Sequence, residues 1–221
     1  MAKLMVVGVG PGSADYVTLA ARMAVQKAEI IIGAERSLRL FKEDIGGATQ
    51  ILTAKNLDDL LQYAVESAKN GKIVAVLSTG DPGFSGLLGS ILKRFSDKAV
   101  ELEVVPGVSA VQVCAAKIGI SWDNAVWFTF HDETNNEKKV ELAETVKAGK
   151  VVFLLPQPKV FPPAEIASYL IRIGAHPQTS VTVCENLTLE NEKIVKTTLA
   201  EASERNFSPQ SVMVIRSQVT E

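Results

Sequence analysis

The sequence has few of the residues that build metal sites or redox centres. Its 221 residues include two cysteines, Cys114 and Cys184, which form no C-x-x-C pair, and two histidines, His131 and His176, which lie far apart. A structural zinc site needs several His or Cys ligands at short spacing. We therefore expect no resident metal, and we interpret both cysteines as small core residues of a cytoplasmic protein in a reducing compartment.

Long apolar runs and a large net charge are also missing. No apolar stretch approaches the ~20 residues that span a bilayer, and glycine and proline interrupt the first apolar run too early for a signal peptide. The formal net charge is −2, which gives the molecule no electrostatic reason to bind nucleic acid or an anionic membrane. We expect neither as a partner.

What the sequence does contain is a regular alternation of short β-rich runs and helical stretches in its first half. Strands are expected at Lys3–Val9, Glu29–Ile32, Thr49–Thr53, Ile73–Ser78 and Val100–Val105. Helices are expected at Tyr16–Lys27, Arg36–Lys42, Leu57–Asn70, Ser85–Phe95 and Val108–Ile118. Nearly continuous apolar strands such as IVAVLS are typical of a parallel sheet covered on both faces, so the pattern predicts an open α/β sheet.

The second half predicts another α/β domain with a mixed sheet, because three late strands are joined by short turns. Strands are expected at Ala125–Phe130, Lys150–Leu155, Ser180–Cys184, Glu192–Thr198 and Val212–Ile215, with helices at Lys138–Lys147 and Pro163–Ile173. Gly174 is the expected C-terminal cap of the last helix. We place the domain boundary near Gly119–Asn124, which gives domains of residues 1–118 and 119–221, and we expect the active site in the cleft between them.

The first loop, GVGPGS, follows an apolar strand and contains three glycines. A dinucleotide fingerprint, G-x-G-x-x-G, needs its third glycine one position later, and Pro11 removes a backbone N–H that a pyrophosphate would use. A Walker loop is absent too, because Gly71-Lys72 lacks the preceding glycine and the following Ser or Thr. The purely structural alternative is a tight turn into a helix capped by Ser13 or Asp15.

Two further junctions between a strand and a helix carry similar chemistry. Ser78–Gly86 reads STGDPGFSG, in which Asp81-Pro82 favours a turn and Ser85 is a candidate helix cap. The segment VVPGVSAVQVCAA places Pro106-Gly107 at a strand end and Ser109 near the start of a helix. We expect all three loops along one edge of the first sheet, thin enough for a flat ligand to approach the backbone.

Together these loops resemble the tetrapyrrole methylase family, the S-adenosylmethionine-dependent enzymes of cobalamin and sirohaem synthesis. GVGPGSADYVTLAA is similar to the family's G-x-G-P-G-x-x-x-x-L-T opening, STGDPGFSG to its G-D-P loop, and EVVPGVSAVQVCAAKIG to its P-G-x-S segment. The resemblance covers essentially the whole chain. It implies a two-domain α/β fold, S-adenosyl-L-methionine bound in the cleft as methyl donor, a tetrapyrrole substrate and a homodimer.

Within the family, four segments are similar to the branch that methylates carbon 5 of precorrin-7 or its cobalt form in cobalamin synthesis. These segments are IIIGAERSLRLF, STGDPGFSGLLGSIL, PGVSAVQVCAAKIGISWDNA and VTVCENLTLENEKIVKTTLAE. One departure is the sequence TFHDE from Thr129 to Glu133, where many members carry Ser-x-His-Gly-Arg. A chain of this length is expected to perform the carbon-5 step only, and to hand its corrinoid product to a separate carbon-15 methyltransferase and decarboxylase.

The resemblance also implies which residues meet the ligands. The cofactor set is Pro11, Asp81, Phe84, Ser109, Ala110, Leu155 and Asn186. Gly10 and Gly12 are expected to meet the substrate. Arg36 is added from chemistry, because arginine forks match the carboxylates that a corrinoid carries. Arg39 and Lys159 are further candidates, although Arg39 also fits a solvated helix position. His131, beside Asp132 and Glu133, is the catalytic candidate for moving a proton.

The expected chemistry explains why the motifs are thin loops. A bridging carbon of a reduced tetrapyrrole is already nucleophilic, so methyl transfer needs alignment and a dry site rather than an acid–base triad. Three alternatives stay open. They are a methylase of the same fold acting on uroporphyrinogen or a diphthine-type substrate, an oxidoreductase that binds a nicotinamide nucleotide, and a non-catalytic scaffold.

Overall fold

The computed structural model describes residues 3–94, 100–131 and 134–216. The chain divides into two compact units, Met1–Ser109 and Ala110–Glu221. This division lies before the helix Ala110–Ile118, whereas the boundary expected from the sequence followed that segment. Among the described residues, no helix combines the length and the apolar character that a bilayer crossing requires.

The first unit is built on a five-stranded sheet in the order β3-β2-β4-β1-β5. Its strands are β1 (Lys3–Gly8), β2 (Ile30–Gly33), β3 (Ala48–Ile51), β4 (Ile73–Ser78) and β5 (Glu101–Val105). Every neighbouring pair in this sheet is parallel. The parallel sheet expected from the apolar strands is therefore confirmed.

Both faces of the three central strands, β2, β4 and β1, are covered, and alternate residues of each strand point to opposite faces. The edge strand β3 is exposed. Leu4 and Val6 of β1 pack in one apolar cluster with Leu61 of a helix, and Met5 and Val7 pack in another. The helices of this unit are α1 (Leu19–Lys27), α2 (Glu35–Arg39), α3 (Leu57–Lys69) and α4 (Leu88–Leu92). Two-sided burial explains why the central strands β1, β2 and β4 lack polar alternation.

The starts of two helices differ from expectation. Ser13 accepts a hydrogen bond from the Asp15 N–H, but this caps only a short 3-10 turn, Ala14–Tyr16, and α1 begins after Thr18. Helix α4 begins after Leu87 without a side-chain cap, so the prediction of Ser85 as a cap is wrong. The predicted end of that helix, Phe95, lies outside the described residues. The stretch before α4 contains Gly83 and Gly86 and has no capping side chain, so the helix begins later in the sequence than expected, since glycine lowers helix stability.

We expect Thr18→Ala to lower the free energy of unfolding by about 1 kcal/mol, because the Thr18 hydroxyl accepts the otherwise unsatisfied Ala21 N–H at 3.1 Å. Thr18→Ser is the matched control, since it keeps a capping oxygen. Urea denaturation of both variants checks this expectation. Equal stability of the alanine variant and the wild type would show that the cap contributes nothing.

The second unit holds a mixed five-stranded sheet in the order β6-β7-β10-β8-β9. Its strands are β6 (Val126–Thr129), β7 (Val151–Leu155), β8 (Ser180–Glu185), β9 (Lys193–Thr198) and β10 (Ser211–Arg216). Strands β6 and β7 are parallel, and the other neighbouring pairs are antiparallel. This confirms the mixed sheet that the short late connections predicted.

The helices of the second unit are α5 (Ala110–Ile118), α6 (Asn136–Lys147), α7 (Pro163–Arg172) and α8 (Leu199–Ser203). One face of the sheet packs Val183 and Met213 in a cluster with Ile166 of α7 and Leu199 of α8. The sequence reading missed α8. Its five residues are too few to show a helical period, and its start is marked mainly by Thr198, whose hydroxyl accepts the Glu201 N–H.

Candidate functional site

The three glycine-containing loops follow three neighbouring strands of the first sheet. Strand β1 lies between β4 and β5 and is parallel to both, so their carboxyl ends reach the same edge. The loops that begin at Val9, Thr79 and Pro106 therefore leave the sheet side by side. The carboxyl edge of an open parallel sheet is where such folds bind ligands.

Main-chain hydrogen bonds join the first two loops directly. Gly10 and Gly80 form an isolated antiparallel bridge, in which the Gly80 N–H donates to the Gly10 carbonyl at 2.8 Å and the Gly10 N–H to the Gly80 carbonyl at 3.3 Å. The Val9 N–H donates to the Ser78 carbonyl at 3.0 Å. The pairing of β1 with β4 thus continues into the loops and fixes their spacing.

The third loop packs against the first two through Gly107. A Cβ atom added to Gly107 would stand 2.3 Å from the Gly80 carbonyl oxygen and 2.7 Å from the Gly8 Cα. A Cβ added to Gly8 would stand 2.5 Å from the Gly107 nitrogen. Such distances leave no space for a side chain at either position, so backbone touches backbone where the three loops meet.

Asp81 ties the second loop to the third. Its Oδ1 accepts the Gly83 N–H at 2.8 Å within its own turn, and its Oδ2 accepts the Gly107 N–H at 3.1 Å. The sequence reading assigned this carboxylate to the cofactor. The structure places both of its oxygens on backbone N–H groups, so its first effect is to hold the two loops together.

The other candidates of the first unit lie on or beside these loops. Pro11 and Gly12 follow the Gly10 bridge and are half-buried, and the half-buried Phe84 donates its N–H to the Asp81 carbonyl at 3.4 Å. Ser109 is 8% exposed and follows the Gly107 contact by two residues. These residues share one small region of backbone, as the three motifs predicted.

Of the two arginines in GAERSLRL, only Arg36 reaches toward this edge. Its Nη2 donates to the Thr79 Oγ at 3.3 Å, directly before the second loop. Arg39 pairs with Glu35 one turn back along α2 and is exposed. Lys159 is exposed in the second unit, where its backbone N–H donates to the Gln157 side chain at 2.6 Å.

Three candidates of the second unit also share one sheet edge. His131 follows β6, Leu155 ends β7 and Asn186 follows β8. Strands β7 and β8 both run antiparallel to β10, so β6, β7 and β8 end on the same side. His131 is exposed there, and Asp132 and Glu133 lie outside the described residues. Ala110 is separate from this edge and begins α5.

The loop after β8 has a strained backbone that a network of hydrogen bonds maintains. Asn186 and Thr188 have φ angles of 50° and 70°, which are unusual for residues with a side chain and most of all for a β-branched one. The Asn186 N–H donates to the Gln210 carbonyl at 2.8 Å, and the Thr188 N–H donates to Glu192 Oε2 at 2.7 Å. Strain of this kind collects at functional loops.

Glu192 joins that loop to α5 through an ion pair. Lys117 Nζ lies 2.7 Å from Glu192 Oε1. The hydrogen bond from Lys117, assisted by the Thr188 N–H, holds the pKa of Glu192 below its ordinary value of 4.5. Because its pKa is lowered on folding, the ionised carboxylate stabilises the folded protein at pH values above its ordinary pKa. This stabilisation is lost as the pH falls through the pKa that the group has in the folded protein.

We expect Glu192→Gln to lower the free energy of unfolding at neutral pH by roughly 1 kcal/mol, because glutamine is uncharged and Lys117 then has no ion-pair partner at this position. The difference from the wild type is expected to shrink as the pH falls through and below 4.5. Glu190→Gln, at an exposed neighbouring position, serves as control. Chemical denaturation across the acid range checks this. A difference that does not change with pH would contradict the ion-pair explanation.

Sequence reasoning missed the residues where the loops touch. Gly8, Gly80 and Gly107 belong to the three motifs, but their contact follows only from the strand order, which places β1 between β4 and β5. It also missed Ser211 at the start of β10, whose buried Oγ has no hydrogen-bond partner in the described part of the chain. No local pattern marks that serine. Among the described residues, no group of three or more His, Cys, Asp or Glu side chains is placed to hold a metal ion.

Comparison with known proteins identifies the family. The model for tetrapyrrole (corrin/porphyrin) methylases matches residues 3–203. This chain belongs to the tetrapyrrole methylase family. The match includes all three loops of the first unit and the three strand ends of the second, so the family resemblance seen in the motifs is confirmed.

Individual members of the tetrapyrrole methylase family are similar along nearly the whole chain. A probable cobalt-precorrin-7 C(5)-methyltransferase of Methanocaldococcus jannaschii is 40% identical over 213 residues, covering 96% of each protein. The cobalt-precorrin-7 C(5)-methyltransferase of Salmonella typhimurium is 31% identical over 198 residues, covering 86% of this chain and 88% of that protein. The crystal structure of precorrin-6Y methylase from Archaeoglobus fulgidus is 25% identical with a TM-score of 0.74, covering 99% of this chain and all of that one.

Proposed function

We propose that this protein is an S-adenosylmethionine-dependent methyltransferase that methylates carbon 5 of precorrin-7 or cobalt-precorrin-7 in cobalamin biosynthesis. The observation that carries the proposal is the meeting of three side-chain-poor loops through glycine backbone at one sheet edge. The choice of substrate is supported by the two relatives named as C(5)-methyltransferases, which match nearly the whole chain.

The residues at this edge fit S-adenosylmethionine in their chemistry. The ligand carries an amino acid group, ribose hydroxyls and an adenine ring, which are recognised by hydrogen bonds and flat apolar contact. The loops offer backbone groups, the Asp81 carboxylate, the buried Ser109 hydroxyl and the half-buried Phe84 ring. No metal is required for this set, because a sulfonium is already an activated donor.

When bound, the cofactor supplies a methyl group on a positively charged sulfur. The task of this chain is to hold donor and acceptor in line, for which rigid backbone is well suited. Gly10, Gly80 and Gly107 fix the loops by main-chain contact, and Asp81 holds the turn above them. Because the loops carry few mobile side chains, few polar groups at this edge can hold water beside the sulfonium.

His131 is proposed as the residue that moves the proton released by the methylated carbon. It is exposed at the carboxyl end of β6, on the edge that also carries Leu155 and Asn186. Imidazole is suited to this because one of its ring nitrogens can accept a proton while the other donates one. Leu155 and Asn186 are proposed, together with Pro11 and Ala110, to border the cofactor, and Gly10 and Gly12 to border the corrinoid.

The family model takes up residues 3–203, so these residues hold one methylase module, and we propose hand-over of the product to a separate carbon-15 methyltransferase and decarboxylase. We propose a homodimer, as the family resemblance implies, which sedimentation of the purified protein tests. A reducing, cytoplasmic compartment is supported by the two free buried cysteines.

Arg36 is proposed to bind a substrate carboxylate, and its replacement separates substrate binding from cofactor binding. We expect Arg36→Gln to raise the KM for the corrinoid roughly fivefold, which corresponds to about 1 kcal/mol for a partly exposed ion pair. The Kd of S-adenosylmethionine is expected to stay unchanged. Arg39→Gln is the matched control, since Arg39 pairs within its own helix. Equal effects of the two substitutions would remove Arg36 from the substrate site.

A methyl-transfer assay tests the function as a whole. Precorrin-7 and cobalt-precorrin-7 are offered side by side with S-adenosylmethionine, with uroporphyrinogen III in a parallel reaction, and products are analysed by mass spectrometry. We expect a singly methylated corrinoid and an equal amount of S-adenosylhomocysteine. Methylation of uroporphyrinogen III without methylation of either precorrin would show that the proposed substrate is wrong. Micromolar binding of NAD(P)H without binding of S-adenosylmethionine would overturn the methyltransferase proposal.

A further inference from the structure

The two cysteines of the chain, separated by 69 residues of sequence, are brought into contact in the second unit. Cys114 lies in α5 and Cys184 near the end of β8, and neither side chain is exposed. Their sulfur atoms are 3.2 Å apart, and the Cys114 thiol donates a hydrogen bond to the Cys184 sulfur. Both are free thiols. Core packing alone requires no such sulfur–sulfur contact.

The surroundings of the pair distinguish the two thiols. The hydrogen bond from Cys114 lowers the pKa of Cys184, and the Lys117 ammonium acts in the same direction, against the effects of burial and of the Glu192 carboxylate. The same hydrogen bond and burial raise the pKa of Cys114. The thiolate form is thus favoured at Cys184 over Cys114, which makes Cys184 the thiol that attacks first and Cys114 the resolving thiol.

The geometry requires little movement to join the sulfurs. A disulfide bond is about 2.05 Å long, so the sulfurs at 3.2 Å must approach by about 1.1 Å for the bond to form. We propose that Cys114 and Cys184 form a redox modification site, a dithiol that a small hydroperoxide converts to an intramolecular disulfide.

The oxidation balances in two steps. The Cys184 thiolate attacks one oxygen of hydrogen peroxide, the O–O bond breaks, and a sulfenic acid forms while the departing hydroxide takes up a proton to give water. The Cys114 thiol then attacks the sulfenic sulfur, the S–S bond forms, and the hydroxyl leaves with the thiol proton as a second water. The two thiols lose two electrons and the peroxide gains them. The contact between the sulfurs makes the second step intramolecular, so it outruns further oxidation.

The position of the pair links it to residues assigned above to the cofactor. Helix α5 begins at Ala110, directly after Ser109, and β8 leads two residues past Cys184 to Asn186. A disulfide would therefore restrict the start of the strained loop after β8 against α5. This regulatory consequence rests on the proposed function, whereas the modification site itself does not.

Mass spectrometry of the whole protein tests the site. Purified, reduced protein is treated with increasing hydrogen peroxide, quenched, and measured intact and after denaturing thiol titration. We expect a product lighter by two hydrogen atoms with no titratable thiol, which dithiothreitol reverses. Because the chain has two cysteines and no more, Cys114→Ala and Cys184→Ala each remove the partner and are expected to abolish that product. Oxygen atoms added at Cys114 or Cys184, located by peptide mapping so that oxidised methionines are not counted among them, or two thiols still titratable, would overturn the proposal.

A second measurement tests the link to the cofactor separately. The affinity for S-adenosylhomocysteine is compared between reduced and oxidised wild type, with peroxide-treated Cys184→Ala, which lacks the thiol that the peroxide attacks first, as control. We expect oxidation to change the Kd of the wild type by several-fold, with recovery on reduction, and to leave the variant unchanged. An equal Kd before and after disulfide formation would overturn the regulatory role. Failure of the reduced protein to bind would contradict the proposed function and leave the mass result standing.

Discussion

Replacing Gly107 by alanine is expected to destabilise the protein by about 3 kcal/mol and to abolish binding of S-adenosylmethionine. The added Cβ would stand 2.3 Å from the Gly80 carbonyl oxygen and 2.7 Å from both the Gly8 Cα and the Gly8 carbonyl carbon. These obstacles are main-chain atoms, which have no alternative rotamer. The third loop must therefore separate from the first two, and the proposed binding edge opens.

Gly46→Ala is the matched control for this substitution. A Cβ added to Gly46 meets nothing within 4 Å, and the position carries no positive φ. We expect the control to keep both stability and cofactor affinity. Thermal unfolding and isothermal titration of the two variants provide the comparison. If Gly107→Ala bound the cofactor as the wild type does, the contact between the three loops would have no part in binding.

Replacing Asp81 by asparagine is expected to cost about 1–3 kcal/mol in folding stability, because one of two backbone N–H groups loses its acceptor and faces an amide donor instead. The two bonds concerned are those from Gly83 and Gly107. We also expect the Kd of S-adenosylmethionine to rise roughly tenfold or more, since about 1.4 kcal/mol corresponds to tenfold in affinity.

Asp59→Asn is the control for the Asp81 variant. Asp59 is exposed on α3, and its neutralisation is expected to change stability by less than about 0.5 kcal/mol. Denaturant titration gives the stabilities and calorimetry the affinities. An Asp81→Asn protein with wild-type stability but weakened cofactor binding would show that the carboxylate acts on the ligand directly and does not act by holding the loops.

Much of the fold was predictable because its strands obey simple rules. Near-continuous apolar runs such as IVAVLS correctly indicated strands buried on both faces, and short late connections correctly indicated antiparallel pairing. Helix boundaries were less predictable. Ser13 and Ser85 look like caps in sequence, yet Thr18 caps α1 and α4 has no side-chain cap. Several residues near a helix start compete as caps, and tertiary packing decides between them.

The candidate site was predictable as a set of loops and less so as a set of roles. Motifs around Gly10, Asp81 and Gly107 located the edge, because three parallel strands must end together. Sequence did not show that Asp81 bonds to another loop, since that partner is 26 residues away. Nor did the sequence show that Cys114 contacts Cys184, because the helix and the strand that carry them come together only in the folded unit.

The most direct test of the account is a crystal structure of this protein with S-adenosylhomocysteine. We expect the ligand to lie against the loops that join at Gly10, Gly80 and Gly107, with contacts to Pro11, Asp81 or Phe84. A ligand bound at any other surface of the molecule, while these loops stay packed only against protein, would contradict it.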